Sequence, residues 1–159
     1  MRTIASLEEL ESLQGQEVAV SDWIEVTQHQ VNQFAEATGD HQWIHVDVER
    51  ARRESPFGGP VAHGFLTLSL LPAFLHNALD MPGVKMGVNY GLNRVRFTAP
   101  VPVGSRLRAR VKLLSVERLE PLPNAPALVG AQSIWEVTVE REGSERPVCV
   151  AESITRRYS

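Results

Sequence analysis

A single cysteine, Cys149, leaves this 159-residue chain without an internal disulfide, which fits a reducing compartment. Positive charge is not in excess: the net charge is -3, so nothing pulls the chain generally toward nucleic acid. No long apolar run is present. The most apolar segment, Phe65 to Leu79, lacks Asp, Glu, Lys and Arg but is too short to span a bilayer comfortably. The first residues show no charged-then-apolar signal pattern, and Glu8, Glu9 and Glu11 interrupt any apolar stretch there. A cytoplasmic protein without a membrane partner is the expectation. Glycine-rich phosphate loops are missing, which removes support for nucleotide hydrolysis, and no Gly-x-Ser-x-Gly elbow surrounds Ser69. We find no internal repeat, low-complexity tract or linker, so residues 1–159 read as one domain.

What is present is ordinary globular material: 43% apolar and 22% charged residues, enough to bury a core without metal or disulfide. Ser6-Leu-Glu-Glu9 reads as a capping box followed by a short helix that Gly15 ends. Val18 to Val26 alternates as a strand. Thr27-Gln-His-Gln30 opens a second helix, with Val31, Phe34, Ala35 and Thr38 at helical spacing and Gly39 as its stop. Asp40 to His45 is then expected to be a turn. Asp47 caps a further helix to about Arg53, and Ser55 to Pro60 is a loop. Gly64 to Leu79 is apolar on nearly every side, the mark of a buried helix, with Pro72 bending it. Val84–Phe97, Arg106–Val116, Leu128–Val139 and Pro147–Arg157 are β-rich. This order predicts an α+β fold. An antiparallel sheet of about five strands wraps the long apolar central helix.

Chemistry concentrates in Ala37-Thr-Gly-Asp-His-Gln-Trp-Ile-His45 and in His63-Gly64, where the apolar helix begins. Asp40 and His45 can both point at one water, one acting as base and the other orienting it. Asp40 is equally what a turn calls for after a helix-ending glycine, and His45 equally a hydrogen-bonded, half-buried histidine; spacing leaves both readings open. Trp43 and Ile44 are expected to dry the site. Gly64 supplies an N–H at a helix start that has no internal partner, where negative charge is favoured and a substrate carbonyl can approach closely. Close packing alone would also call for glycine there, and His63 beside it reads as structural. His41 and His45 have the i, i+4 spacing of a zinc-binding helix. They follow Gly39 in a turn, however, and Gln42 stands where the base of a zinc protease would be, so no metal is expected. Cys149, between valines in a strand, reads as a small core residue.

Thr38-Gly39-Asp40, Ile44-His45 and Ala62-His63-Gly64 resemble the signature of the MaoC-like dehydratases, or (R)-specific enoyl-CoA hydratases. That signature runs Ser/Thr-Gly-Asp-x-Asn-Pro-Leu/Ile-His and then Ala-His-Gly before the central helix. Val95-Arg96-Phe97-Thr-Ala-Pro-Val-Pro-Val-Gly104 is similar to the family's Arg-Phe-x-x-Pro-Val-x-x-Gly stretch. The resemblance covers about Val18 to Ile154 and looks closest to the nodulation-protein-N-like branch. It implies the hotdog fold and a homodimer. It also implies reversible syn addition of water to a trans-2-enoyl-CoA, giving the (R)-3-hydroxyacyl-CoA without cofactor or metal. Asp40 and His45 would be the catalytic pair and the Gly64 N–H the oxyanion donor. Gln42, Trp43, His63, Phe65 and Arg96 would meet the substrate; Lys85, Arg94 and Arg106 join Arg96 as candidates for coenzyme A phosphates. The Asn-Pro of the signature is Gln42-Trp43 here, which reshapes the turn and puts acyl-chain preference in play. An acyl-carrier-protein dehydratase, a non-catalytic acyl-binding subunit and a thioesterase are the alternatives.

Overall fold

A computed structural model describes residues 1–159. Along the chain come β1 (Arg2–Thr3), α1 (Leu7–Ser12), β2 (Glu17–Val20), β3 (Ile24–Glu25) and α2 (Gln28–Thr38). Then follow α3 (Trp43–Val46), α4 (Val48–Glu54), α5 (Gly64–Ser69), α6 (Leu71–Ala78) and β4 (Leu79–Asp80). Four long strands close the chain: β5 (Met86–Arg96), β6 (Arg106–Leu119), β7 (Gly130–Arg141) and β8 (Cys149–Tyr158).

The long strands and β2 form an antiparallel sheet in the order β2-β6-β7-β8-β5, and β3 also pairs with β6, giving six strands. Val18–Val26 is therefore two short strands, not one. The ladder breaks because the Ser21 hydroxyl accepts the Ala109 N–H at 2.8 Å, and the Asp22 N–H turns to the Asn77 side chain at 3.0 Å. Period-two alternation puts Leu107, Ala109, Val111 and Leu113 of β6 on the buried face with Trp135, Val137 and Val139 of β7 and Ala151 of β8. Phe74 of α6 packs into that face with no exposed surface. The sheet therefore curls around α5–α6, which is the hotdog arrangement.

The central helix differs from the sequence expectation in two ways. It is two helices, α5 and α6, meeting at Leu70, with Pro72 in the first turn of α6, where a missing N–H costs nothing. It is also not buried all round: Phe65, Ser69, Ala73 and His76 form an exposed stripe, with Phe65 67% exposed. A single curled sheet covers one side of a helix only. Beside that stripe runs β5, the sheet edge, where every residue except Val95 is exposed. Val88, Tyr90 and Leu92 are among them, and two register shifts interrupt its pairing with β8.

Sequence patterning also missed a parallel pairing of β1 with β4, Arg2 opposite Leu79. Two-residue strands carry no periodicity to read. Three of the caps came out as the residues predict, and the Ser6 box only half, since the Glu9 carboxylate accepts the Ala5 N–H at 2.7 Å instead of that of Ser6. Ser6 accepts the Glu9 N–H, Thr27 and Gln30 form a reciprocal capping box, Gly39 ends α2 at φ 79°, and Asp47 accepts the Arg50 N–H. No helix is long and apolar enough to cross a membrane.

Candidate active site

Asp40 leaves α2 through Gly39, whose left-handed backbone turns the chain sharply at no steric cost. Asp40 to Gln42 are irregular, but Trp43–Val46 makes one helical turn, so His45 sits on α3 and not in the open turn expected. That turn is held from outside. The Gln28 side-chain amide donates to the His45 carbonyl at 2.7 Å, and Val61 N–H donates to the Ile44 carbonyl at 3.0 Å.

His45 is 7% exposed and its Nδ1 lies 2.6 Å from the Val61 carbonyl. A carbonyl only accepts, so Nδ1 is assigned the proton and Nε2 keeps its lone pair. His63, 2% exposed, is assigned by the same logic. Its Nε2 donates to the Asp40 backbone carbonyl at 2.9 Å, and its buried Nδ1 has no protein partner. The two imidazoles stack at 3.9 Å and 26°, with the Phe34 ring 4.8 Å from His63. One ligand-capable atom from each of Asp40, His45 and His63 lies within 4.8 Å of the others. A carboxylate and two imidazoles are thus brought together, the Asp40 side open to solvent.

Burial lowers the His45 pKa below its ordinary 6.5, the dominant cause being lost solvation of the charged ring. The Val61 hydrogen bond and the Asp40 charge oppose the shift, and the His63 ring adds to it. His45 is therefore a neutral base at neutral pH. Because the folded pKa is depressed, the unfolded chain takes up the proton first. The His45 contribution to stability is complete above pH 6.5 and is lost as pH falls from there toward the folded pKa. We expect the acid limb of any rate that needs neutral His45 to fall below pH 6.5. A pH–rate profile of kcat/KM checks this, and a limb above 6.5 contradicts it.

The His41–His45 metal pairing is not formed. His41 is exposed and lies 3.8 Å from Glu36, because the break after Gly39 removes the helical i, i+4 geometry. The group able to hold an ion is Asp40, His45 and His63 instead. The Trp43 ring carries the Arg50 guanidinium of α4 4.3 Å from its centroid. Gln42 is exposed, its N–H 3.4 Å from an Asp40 carboxylate oxygen. Arg96 is exposed on β5 and bonds the Val95 carbonyl at 2.7 Å; Phe65 stays outside, edge-on to Phe97 at 6.0 Å. His63, expected among the residues that meet the substrate, joins the cluster through its stack on His45. Gln28, Phe34 and Val61 were missed, since each reaches the site across many residues of chain.

Gly64 begins α5, and its N–H donates to no protein acceptor. A Cβ there would lie 2.8 Å from the Phe97 ring, so close packing independently requires glycine. The 96–104 stretch explains itself around this point. Phe97 closes on Gly64, the Val101 carbonyl accepts the Ala62 N–H at 2.8 Å, Pro102 bridges Val61, and Gly104 turns at φ 91°.

The profile of the MaoC like domain matches residues 9–124. The chain belongs to the MaoC-like family. It is 54% identical to 3-hydroxyacyl-thioester dehydratase Z of Mycobacterium tuberculosis over 156 residues, 98% of either chain. It is 50% identical to Nodulation protein N of Rhizobium leguminosarum bv. viciae over 153 residues, 94% of this chain and 89% of that one. The nodulation-protein-N-like branch read from the sequence is the one these relatives occupy. Among solved structures, the (R)-hydratase from A. caviae involved in PHA biosynthesis superposes with a TM-score of 0.64 at 22% identity. That match covers 89% of this chain and 97% of the other.

Proposed function

We propose that this MaoC-like protein is a hydro-lyase that interconverts trans-2-enoyl and (R)-3-hydroxyacyl thioesters, with coenzyme A as carrier. The observation that carries the reading is the convergence of the Asp40 carboxylate with neutral His45 beside the free Gly64 N–H. The dehydratase name of the Mycobacterium tuberculosis relative supports it.

One water sits between Asp40 and His45. His45 Nε2 takes one of its protons as the oxygen bonds C3, and Asp40 accepts the O–H that remains. The displaced electron pair moves to the thioester oxygen as an enolate, which the Gly64 N–H stabilises in a water-poor pocket. The proton then passes from His45 to C2 on the same face. His63 keeps His45 and Asp40 in register through its stack and its bond to the Asp40 backbone. The acyl chain follows the groove that begins one turn beyond Gly64, a space of about 360 Å³ between Leu68, Leu71, Pro72 and Leu75 and the Asn89–Leu92 segment of β5. Two copies of the chain, acting in the cytoplasm, pair through β5 and the exposed helix stripe. A long sheet edge rarely stays uncovered, and Tyr90 and Phe65 are large apolar groups left in water.

Crotonyl-CoA and a longer enoyl-CoA test the reading. Chelator-treated protein should bleach the enoyl thioester absorbance as fast as untreated protein, because no step needs an ion. Recovery only with added zinc would assign Asp40, His45 and His63 to a metal. Release of free coenzyme A without hydration would mean a thioesterase.

A further inference from the structure

Arg157 differs from the arginines of the sheet that hold carboxylate partners. Arg108 and Arg110 share Glu140, Arg106 meets Glu142, and Arg118 holds Glu8 and Glu11. Arg157 has no carboxylate within ion-pair distance. Burial alone acts on it and pushes its pKa down, whereas Arg110 and Arg118 are pushed up by their partners. Its guanidinium rests 5.3 Å from the Trp135 ring centroid, and one amine reaches the Met81 sulfur, a weak acceptor. A half-buried cation without an anion loses hydration that nothing replaces, and beyond Met81 its N–H donors have no protein acceptor.

Those donors border a cavity of about 210 Å³. Ile4, Leu7 and Leu10 roof it, Met81 and Val84 wall it, and Ala131, Ser133 and Arg157 floor it. The lining is mostly apolar, and none of Asp40, His45, His63 and Gly64 belongs to it. An apolar cavity of roughly 150 Å³ holds a benzene ring, so this one accommodates an alkyl chain of roughly six to eight carbons.

We propose that this cavity binds an amphiphilic acid, an alkyl chain ending in a carboxylate, with the carboxylate on Arg157 and the chain under Ile4, Leu7 and Leu10. The pairing supplies what each part lacks. The fork of the guanidinium matches a carboxylate in two hydrogen bonds, and the chain fills apolar space that water occupies poorly. The site is separate from the hydration chemistry, so binding is measurable whether or not the protein turns over enoyl thioesters.

Calorimetric titration of the full-length protein with octanoate and with octan-1-ol makes the test. Octanoate should bind about tenfold or more tightly than octan-1-ol and raise the melting temperature. Arg157→Gln should remove the preference for the acid. Ala131→Leu, which fills the floor and keeps the guanidinium, should weaken both ligands. Equal affinity for acid and alcohol, or no binding by the unaltered protein, would overturn the proposal; that comparison needs no variant to fold.

Discussion

Asp40→Asn and His45→Ala should each lower kcat/KM for enoyl thioester hydration by roughly a hundred- to ten-thousandfold, and the double variant should be scarcely worse than either. The reason lies in the geometry. In the proposed mechanism both groups, members of a 4.8 Å cluster, act on one water, so losing either partner leaves the other without a positioned reactant. Asn keeps the shape of Asp40 and its backbone carbonyl, which His63 needs at 2.9 Å, so Asp40→Asn isolates the carboxylate. His45→Ala also removes the face on which His63 stacks, and a melting curve separates loss of that contact from loss of the base. Rates for the two single variants and the double decide the matter. Defects that multiply would mean two independent roles and no shared water.

The second large effect concerns Gly64, where the structure changes the design of the experiment. Proline is tolerated at a helix start and deletes the N–H, and His63 at φ -60°, ψ 137° already has the backbone that precedes a proline. Any Cβ at 64, however, meets the Phe97 ring at 2.8 Å, so Gly64→Pro alone confounds packing with chemistry. In a Phe97→Ala background, which removes Cγ and the ring, the clash is relieved. There Gly64→Ala, which keeps the N–H, should retain most of the background turnover. Gly64→Pro should lose roughly a hundredfold or more. Steady-state kinetics with circular dichroism on the four proteins reads this out. If alanine and proline behave alike, position 64 matters for packing only.

Much of the fold was legible because its signals are local. Thr27 with Gln30, Gly39 and Asp47 mark helix ends through bonds that span three or four residues, and most of β6 to β8 alternates against one buried face. What was illegible is long-range. The break of the central helix at Leu70, the exposure of its outer stripe and the pairing of β1 with β4 depend on what stands opposite each residue in space. The site divides the same way. Asp40, His45 and Gly64 were singled out as candidates in the sequence, with their roles implied only by the family resemblance. His63, structural by its position and a substrate contact by resemblance, enters because its ring lies over His45. Gln28 enters from 17 residues away, at the far end of a different helix. The Arg50 guanidinium over Trp43 comes from α4 and left no signal in the 37–45 run. Even the 96–104 motif, visible as a string, had no explanation until Phe97 was placed on Gly64 and Val101 on Ala62.

The central claim is that one water, fixed by Asp40 and His45, adds to one face of an enoyl thioester whose oxygen is held at Gly64. Hydration of crotonyl-CoA in D₂O, with the product's configuration determined at C2 and C3, tests it most directly. The account predicts a single diastereomer, the (R) alcohol at C3 with deuterium added to C2 on the same face as the hydroxyl. An (S) product, or deuterium on the opposite face, would contradict it.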